Sequence, residues 1–202
     1  MPSLIVPSRP AGFLAALAQP VLPAGDFVLR PWEPADAPAV AGAYDDPAIR
    51  QWHARSMSPG EAAEWVADWP RRWQREADAG WALAGPGVLG QVSLRHIDLV
   101  EGLASLSYWV LPAARGRGLA PRAVRTVARW AFGVLGLHRL DILHSTRNEA
   151  SCGVARRAGF AYEGTLRGQA KHADGWHDMH VHALVSGDGD PGAGGDVARS
   201  PR

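Results

Sequence analysis

The chain has 202 residues, 47% of them hydrophobic and nine of them Trp, which is enough for one medium-sized domain with a substantial core. Its 21 basic and 20 acidic residues leave a net charge of +1, which excludes a globally basic nucleic-acid binder, and the charged fraction of 20% is too low for a charge-rich disordered chain. A single cysteine, Cys152, excludes an intrachain disulfide framework and a Cys-rich zinc module, and no apolar run reaches the roughly 18 residues that span a bilayer.

Residues 1–24 are rich in Ala, Pro and Leu without a sustained period, and read as an arm over the domain or as a segment without fixed structure. Phe13 to Ala18 resembles a short signal-peptide core, but Pro7, Pro10 and Pro20 crowd it, so a cytoplasmic protein is the better reading. From Ser186 the Gly- and Asp-rich composition cannot bury a core, so 187–202 is expected as a flexible tail and 25–186 as the folded domain. Phe27 to Leu29 starts a strand that stops at Pro31, and Pro34 opens a short helix carrying Val40, Ala43 and Tyr44. Ser58, Pro59 and Glu61 form a helix-start signature ahead of Ala62, Trp65, Val66, Trp69 and Trp73 at helical spacing, with Pro70 expected to kink or interrupt the helix.

Then the period changes. Trp81 to Ala84, Val88 to Asp98 and Leu103 to Val110 read as three strands of an antiparallel meander. Pro121 to Leu135 reads as a helix, Arg139 to Ser145 as a strand, Ala150 to Ala158 as a helix ending at Gly159, and Trp176 to Val185 as a last strand. A strand, a glycine-containing loop, a helix and a strand in that order make a βαβ unit within a mixed α/β sheet.

The loop of that unit carries the chemistry. Leu111-Pro-Ala-Ala-Arg115-Gly116-Arg117-Gly118-Leu119-Ala120-Pro121 lies between strand and helix, where successive backbone N–H groups converge on an anion at the helix N-terminus. Five arginines and no acidic residue lie between Arg115 and Arg129, a local +5 in a chain of net +1. A nucleoside triphosphate loop needs Gly-Lys-Ser/Thr, which is absent, and the dinucleotide fingerprint needs a glycine where Pro121 stands. A different pyrophosphate-bearing ligand remains.

This segment resembles the acetyl-CoA loop of the GNAT N-acetyltransferases, Gln/Arg-x-x-Gly-x-Gly/Ala, with Ala113, Gly116 and Gly118 at its positions and Ala113 departing from the pattern. Ser107 to Val110 resembles the strand that delivers the loop. Asn148-Glu-Ala-Ser151-Cys-Gly-Val-Ala-Arg-Arg-Ala-Gly159-Phe160-Ala-Tyr-Glu163-Gly164-Thr-Leu-Arg167 is similar to the second signature of the RimJ/RimL-like branch. The resemblance covers about residues 26–185. It implies the GNAT fold, a mixed twisted sheet of six to seven strands with about four helices, and transfer of acetyl from acetyl-CoA to a primary amine by direct attack, with no metal.

The resemblance also implies residue roles. Val110, Leu111, Arg115, Gly116, Arg117, Gly118, Leu119 and Ala120 would hold acetyl-CoA, with a strand amide near Trp109 to Leu111 polarising the carbonyl. Asn148 would bond the pantetheine arm, and Ser151 would face the sulfur and stabilise the departing thiolate. The tyrosine that other branches use four residues on is here Ala155. Two positions that often carry a glutamate base are Ser105 and Ala170, so the base candidates become His172, His177, Asp178 and His96, with Glu101 behind them. An α-amine of pKa about 8 is roughly a tenth neutral at pH 7 and costs about 1.4 kcal/mol to deprotonate, against about 4–5 kcal/mol for a lysine. Loss of both glutamates therefore favours an amine of low pKa.

On the acceptor side, Tyr44, Asp46, Trp52 and His53 are the expected substrate wall. The acceptor is a protein N-terminus or a small-molecule amine, and a homodimer stays open. Two alternatives remain: an acyl-CoA-binding module without catalysis, and a metal-binding protein built on residues 177–182, where Asp178, His180 and His182 share one strand face.

Overall fold

The computed structural model describes residues 4–188. Its eight strands are β1 (Leu22–Pro23), β2 (Val28–Arg30), β3 (Ala79–Ala84), β4 (Val88–Asp98), β5 (Leu103–Val110), β6 (Arg139–Ser145), β7 (Ala161–His172) and β8 (Gly175–Val185). They form one sheet in the order β1-β2-β3-β4-β5-β6-β8-β7. Five helices accompany it: α1 (Ala37–Asp45), α2 (Pro47–His53), α3 (Pro59–Gln74), α4 (Leu119–Gly133) and α5 (Glu149–Arg157).

The sheet is thus one strand wider than the largest count expected from the sequence, and α2 is an added helix. β7 escapes the periodicity reading because it is an edge strand, exposed along most of its length and interrupted by Gly164 and Gly168, so no alternation marks it. α2 is only seven residues long, with Asp46 as its N-cap and Pro47 at its first position. The longer α3 runs on through Pro70 to Gln74. Its start is the expected capping box: the Ser58 hydroxyl accepts from the Glu61 amide, and Glu61 accepts from the Ser58 amide.

Strands β3 to β5 form the expected antiparallel meander, and β2 pairs antiparallel with the outer edge of β3. α4 then crosses over to bring β6 parallel to β5, but only Leu103↔Arg139, Ala104↔Leu140 and Ser105↔Asp141 pair. Past those three pairs the two strands part company. β6 turns its other edge to β8, with seven consecutive antiparallel pairs. One core cluster gathers α4, α5 and the sheet residues Trp81, Val92, Leu94, Leu140 and Ile142. A second gathers α1, α2 and α3 against Ala82 and Trp109.

Residues 12–23 are built into this framework. Leu14 is fully buried in the first cluster. The Glu76 carboxylate accepts from the backbone N–H groups of Gly12, Leu14 and Ala15. Two buried indoles donate to the same segment, Trp73 to the Leu17 carbonyl and Trp81 to the Pro20 carbonyl, both at 2.9 Å. Those two N–H groups, expensive to bury unpaired, find their partners there. Gly187 and Asp188 form the turn after β8, and the remainder of the tail expected over 187–202 lies outside the described residues.

Leu14 should therefore behave as a core residue. Leu14→Ala is expected to lower the unfolding free energy by about 2–4 kcal/mol in equilibrium urea denaturation; a change below about 0.5 kcal/mol would show the segment to be peripheral.

Candidate functional site

Where β5 and β6 separate, a cleft of about 820 Å³ opens. Leu106 to Val110 line one side, Ile142 to Ser145 the other, with α2 above and the start of α4 and α5 at its ends. The pairing register dictates what β5 offers. Leu111 donates its amide to Leu89 of β4, so by strand alternation the N–H groups of Tyr108 and Val110 point to the opposite edge, where β6 has already left. Of the amides near Trp109 to Leu111 expected to polarise the carbonyl, that of Leu111 is engaged in the sheet and that of Val110 faces the cleft.

The loop after β5 makes one 3-10 turn at Pro112–Ala114 and reaches α4 through Gly116 and Gly118, at φ of +78° and +68°. Both need the left-handed region that glycine alone enters without strain. Gly118 is the N-cap of α4 and has no side chain, so the first amides of the helix, at Leu119 and Ala120, are left for an outside partner. Gly116, Gly118, Leu119, Ala120 and Pro121 all line the cleft. Leu111 does not; it packs against the second core cluster instead.

The arginine concentration is partly neutralised in place. Arg115 lines the cleft and donates to Asp46 at 2.7 Å and to the Val110 carbonyl at 3.1 Å. Arg117 turns away to Asp26, at 3.4 Å, and takes no part in lining the cleft. Arg122 reaches the same Asp26 at 2.6 Å and lies over the Phe27 ring. Asp46, expected to meet the acceptor, instead caps α2 through the Ile49 amide and holds Arg115. Arg115 keeps its carboxyl below the usual carboxylate range.

Across the cleft, Asn148 caps α5 by accepting from the Ser151 amide at 3.0 Å, and Ser151 faces the parted strands. Its hydroxyl lies 2.7 Å from the phenol oxygen of Tyr108. Burial pushes the Tyr108 phenol up to about 12, so it stays protonated at neutral pH, and either hydroxyl can donate to the other. No sequence motif marks this pair. It exists because β5 and α5 are brought together by the split.

On the acceptor side, Trp52 and His53 of α2 line the cleft, whereas Tyr44 is buried beneath them against His53 and Trp109. Desolvation lowers His53 from 6.5 to about 4, opposed by a bond to the Tyr108 carbonyl, so the ring is neutral at physiological pH. His172 also lines the cleft. Its Nδ1 faces the Gln51 carbonyl at 2.9 Å, which only accepts, so Nδ1 carries the proton and Nε2 the lone pair. His177 stacks behind it at 4.2 Å between ring centroids and is 1% exposed. His177 is held by Asp174 at Nε2 and Ser145 at Nδ1, both 2.8 Å away, and does not itself line the cleft. Asp178 is a correction. Strand alternation turns it to the other face of β8, where it is exposed and accepts from the Gly168 amide. His96 and Glu101 are exposed and lie outside the cleft.

The split parallel strand pair thus makes a cleft with free helix-start amides suited to an anion on one side and a hydroxyl pair on the other. The Acetyltransferase (GNAT) domain family matches residues 26–161, and the chain belongs to it. A relative named "Putative ribosomal N-acetyltransferase YdaF", of Bacillus subtilis (strain 168), is 28% identical over 168 residues, covering 79% of this chain and 91% of that protein. Among solved structures, RimL, the ribosomal L7/L12 alpha-N-protein acetyltransferase in complex with coenzyme A, superposes with a TM-score of 0.75 at 20% identity, over 82% of this chain and 98% of its own. Mycobacterium smegmatis RimJ, in complex with CoA-disulfide, superposes with a TM-score of 0.73 at 22% identity, over 83% and 86%. Among the described residues no helix is long and apolar enough to cross a membrane.

His53 gives a pH signature. The folded protein keeps it neutral down to about pH 4 while the unfolded chain protonates it near 6.5, so acid favours unfolding and stability falls as pH drops through that window. In urea denaturation, the loss between pH 7 and pH 5 is expected to be smaller by about 1–2 kcal/mol in His53→Gln than in wild type. Equal losses would show the imidazole to be solvated.

Proposed function

We propose that this N-acetyltransferase acts on an amine of low pKa, in the first instance the α-amine at a protein or peptide N-terminus, in the cytoplasm, with acetyl-CoA as co-substrate. One observation carries the choice: among the described residues no carboxylate lines the cleft, and its charged side chains are Arg115 and Arg157. A polyamine or amino-sugar carries several positive charges and would meet cations and neutral rings there. An α-amine enters in its neutral form at a cost of about 1.4 kcal/mol at pH 7. The name of RimL, an alpha-N-protein acetyltransferase, is in keeping with this.

The residues then divide the work. Amides at the start of α4 and the Arg115 guanidinium suit the phosphate groups, and Asn148 the amide-bearing arm. The amine nitrogen attacks the thioester carbonyl carbon, whose oxygen is met by the Val110 N–H. The carbon–sulfur bond breaks, and the sulfur takes a hydrogen bond or proton from Ser151, itself backed by Tyr108. The proton lost by nitrogen goes to Nε2 of His172 or to water, with His177 supporting the ring from behind. No metal takes part in these steps.

A panel of acceptors tests the proposal: a peptide with a free N-terminus, the same peptide Nα-blocked but carrying lysine, spermidine and an aminoglycoside. The free α-amine should be turned over best, and Ser151→Ala should lower kcat by about 10²-fold with little change in acetyl-CoA affinity. Preference for a polycation would overturn the acceptor class. Tight acetyl-CoA binding with no turnover on any amine would favour the binding-module alternative.

The Asp46–Arg115 pair makes a separate prediction. Asp46 competes with phosphate for Arg115, so Arg115→Gln is expected to weaken acetyl-CoA binding about tenfold and Asp46→Asn to tighten it, in calorimetric titrations at low salt. Unchanged affinity in both variants would show that Arg115 stays on Asp46 when the co-substrate is bound.

A further inference from the structure

The face of β6 and β8 opposite to His177 carries a second cluster, absent from the transfer chemistry. Cross-strand pairing sets His144 of β6 beside His180 of β8, and His182 follows two residues along on the same face. Cys152 comes down onto them from α5, with Sγ 3.9 Å from Nε2 of His182. One ligand atom from each of the four residues lies within 4.8 Å of all the others.

Two features set this apart from ordinary polar packing. Nδ1 of His144 faces the Ser145 carbonyl at 2.8 Å and must donate to it, which leaves the lone pair on Nε2. That Nε2 is buried, on a residue 4% exposed, and has no hydrogen-bond partner; Nδ1 of His180 is buried without one as well. An imidazole fixed by a carbonyl at one nitrogen and bare at the other is how metal-ligating histidines are held. The rings are also spaced for it. Zn–N bonds of about 2.0–2.1 Å at tetrahedral angles place ring centroids about 5.2 Å apart. The three centroid distances are 5.2 Å for His144–His182, 5.3 Å for His144–His180 and 6.2 Å for His180–His182.

We infer that His144, Cys152, His180 and His182 form a site for one divalent transition-metal ion, with zinc the best match to a three-imidazole, one-thiolate donor set. Binding replaces the Cys152 S–H bond by a sulfur–metal bond and releases the proton to solvent, with no change of oxidation state. Four protein ligands close a tetrahedral site, so its role is structural: it fastens α5, and with it Ser151, to β6 and β8. The expectation of no metal changes because β6 and α5 add His144 and Cys152 to the pair visible in β8, while Asp178 is held elsewhere.

The full chain, purified without an affinity tag and stripped by a chelator, would be titrated with Zn²⁺ against a chromophoric competitor and separately with Co²⁺. One equivalent of metal is expected, with tetrahedral cobalt bands and a thiolate-to-cobalt charge-transfer band. Cys152→Ser should abolish the charge-transfer band, and His180→Gln should weaken zinc about 100-fold or more, with folding checked by circular dichroism. Failure of the wild-type chain to bind either ion, or a cobalt spectrum that lacks the thiolate band, overturns the inference without any variant. Metal uptake unchanged in both folded variants overturns it too. None of these readouts involves acetyl-CoA, so the acetyl-transfer reading stands or falls apart from them.

Discussion

Everything at the cleft depends on the parting of β5 and β6 after three parallel pairs. A strand inside a sheet has its N–H and C=O groups satisfied on both edges. When β6 leaves, Leu106, Tyr108 and Val110 of β5 keep donors and acceptors with no strand to receive them. Such groups must be met by something else. In this chain the Val110 carbonyl is met by Arg115, while His53 is placed against the Tyr108 carbonyl. The corresponding N–H groups are then fixed donors on a rigid scaffold, which is what a developing oxyanion requires. The gap that exposes them also lets the N-termini of α4 and α5 face one another, so the donor loop, thiolate partner and oxyanion donor of the proposed reaction follow from one irregularity.

Electrostatics around the loop are less simple than five clustered arginines suggest. Asp26 takes Arg117 and Arg122, while Arg115, paired with Asp46, and Arg157 are the arginines that line the cleft. Exposed pairs of this kind contribute little to stability. Their weight is positional: Arg115 joins the donor loop to the first turn of α2, the helix that also presents Trp52 and His53. The two halves of the cleft are thereby joined through one side chain, the one for which the proposed co-substrate would compete with Asp46.

Much of the fold was legible because it rests on local signals. Ser58 and Glu61 announce α3, Gly116 and Gly118 announce a close-approach loop, and the alternation in Leu103 to Val110 announces a half-buried strand. Asn148 and Ser151 were legible as a motif. What stayed hidden depends on contacts between distant segments. The bond between Tyr108 and Ser151 joins residues 43 apart, and the link from Ser145 to His177 joins residues 32 apart. Gln51 owes its role to such a contact, since it lies 121 residues from His172. β7 was hidden for another reason: an exposed edge strand buries neither face, so it needs no hydrophobic period. Leu14 and Glu76 illustrate the same limit. An irregular segment that supplies partners for two indoles has no periodicity to betray it, and the burial of Trp73 and Trp81 depends on it.

β8 shows how much a period of two can separate. Read along the chain, Trp176 to His182 is a single histidine-rich run. In the sheet, His177 and Met179 face the acceptor side, where His172 and Trp52 close over them, while His180 and His182 face α5. One register slip would exchange the two sets and leave neither cluster intact. The seven consecutive pairs with β6 prevent that slip, and they do so with the same strand whose departure from β5 opens the cleft. β6 therefore has two obligations that reinforce each other: it must leave β5 to make room for the reaction, and it must hold β8 firmly enough that the imidazole behind His172 stays where the acceptor side needs it.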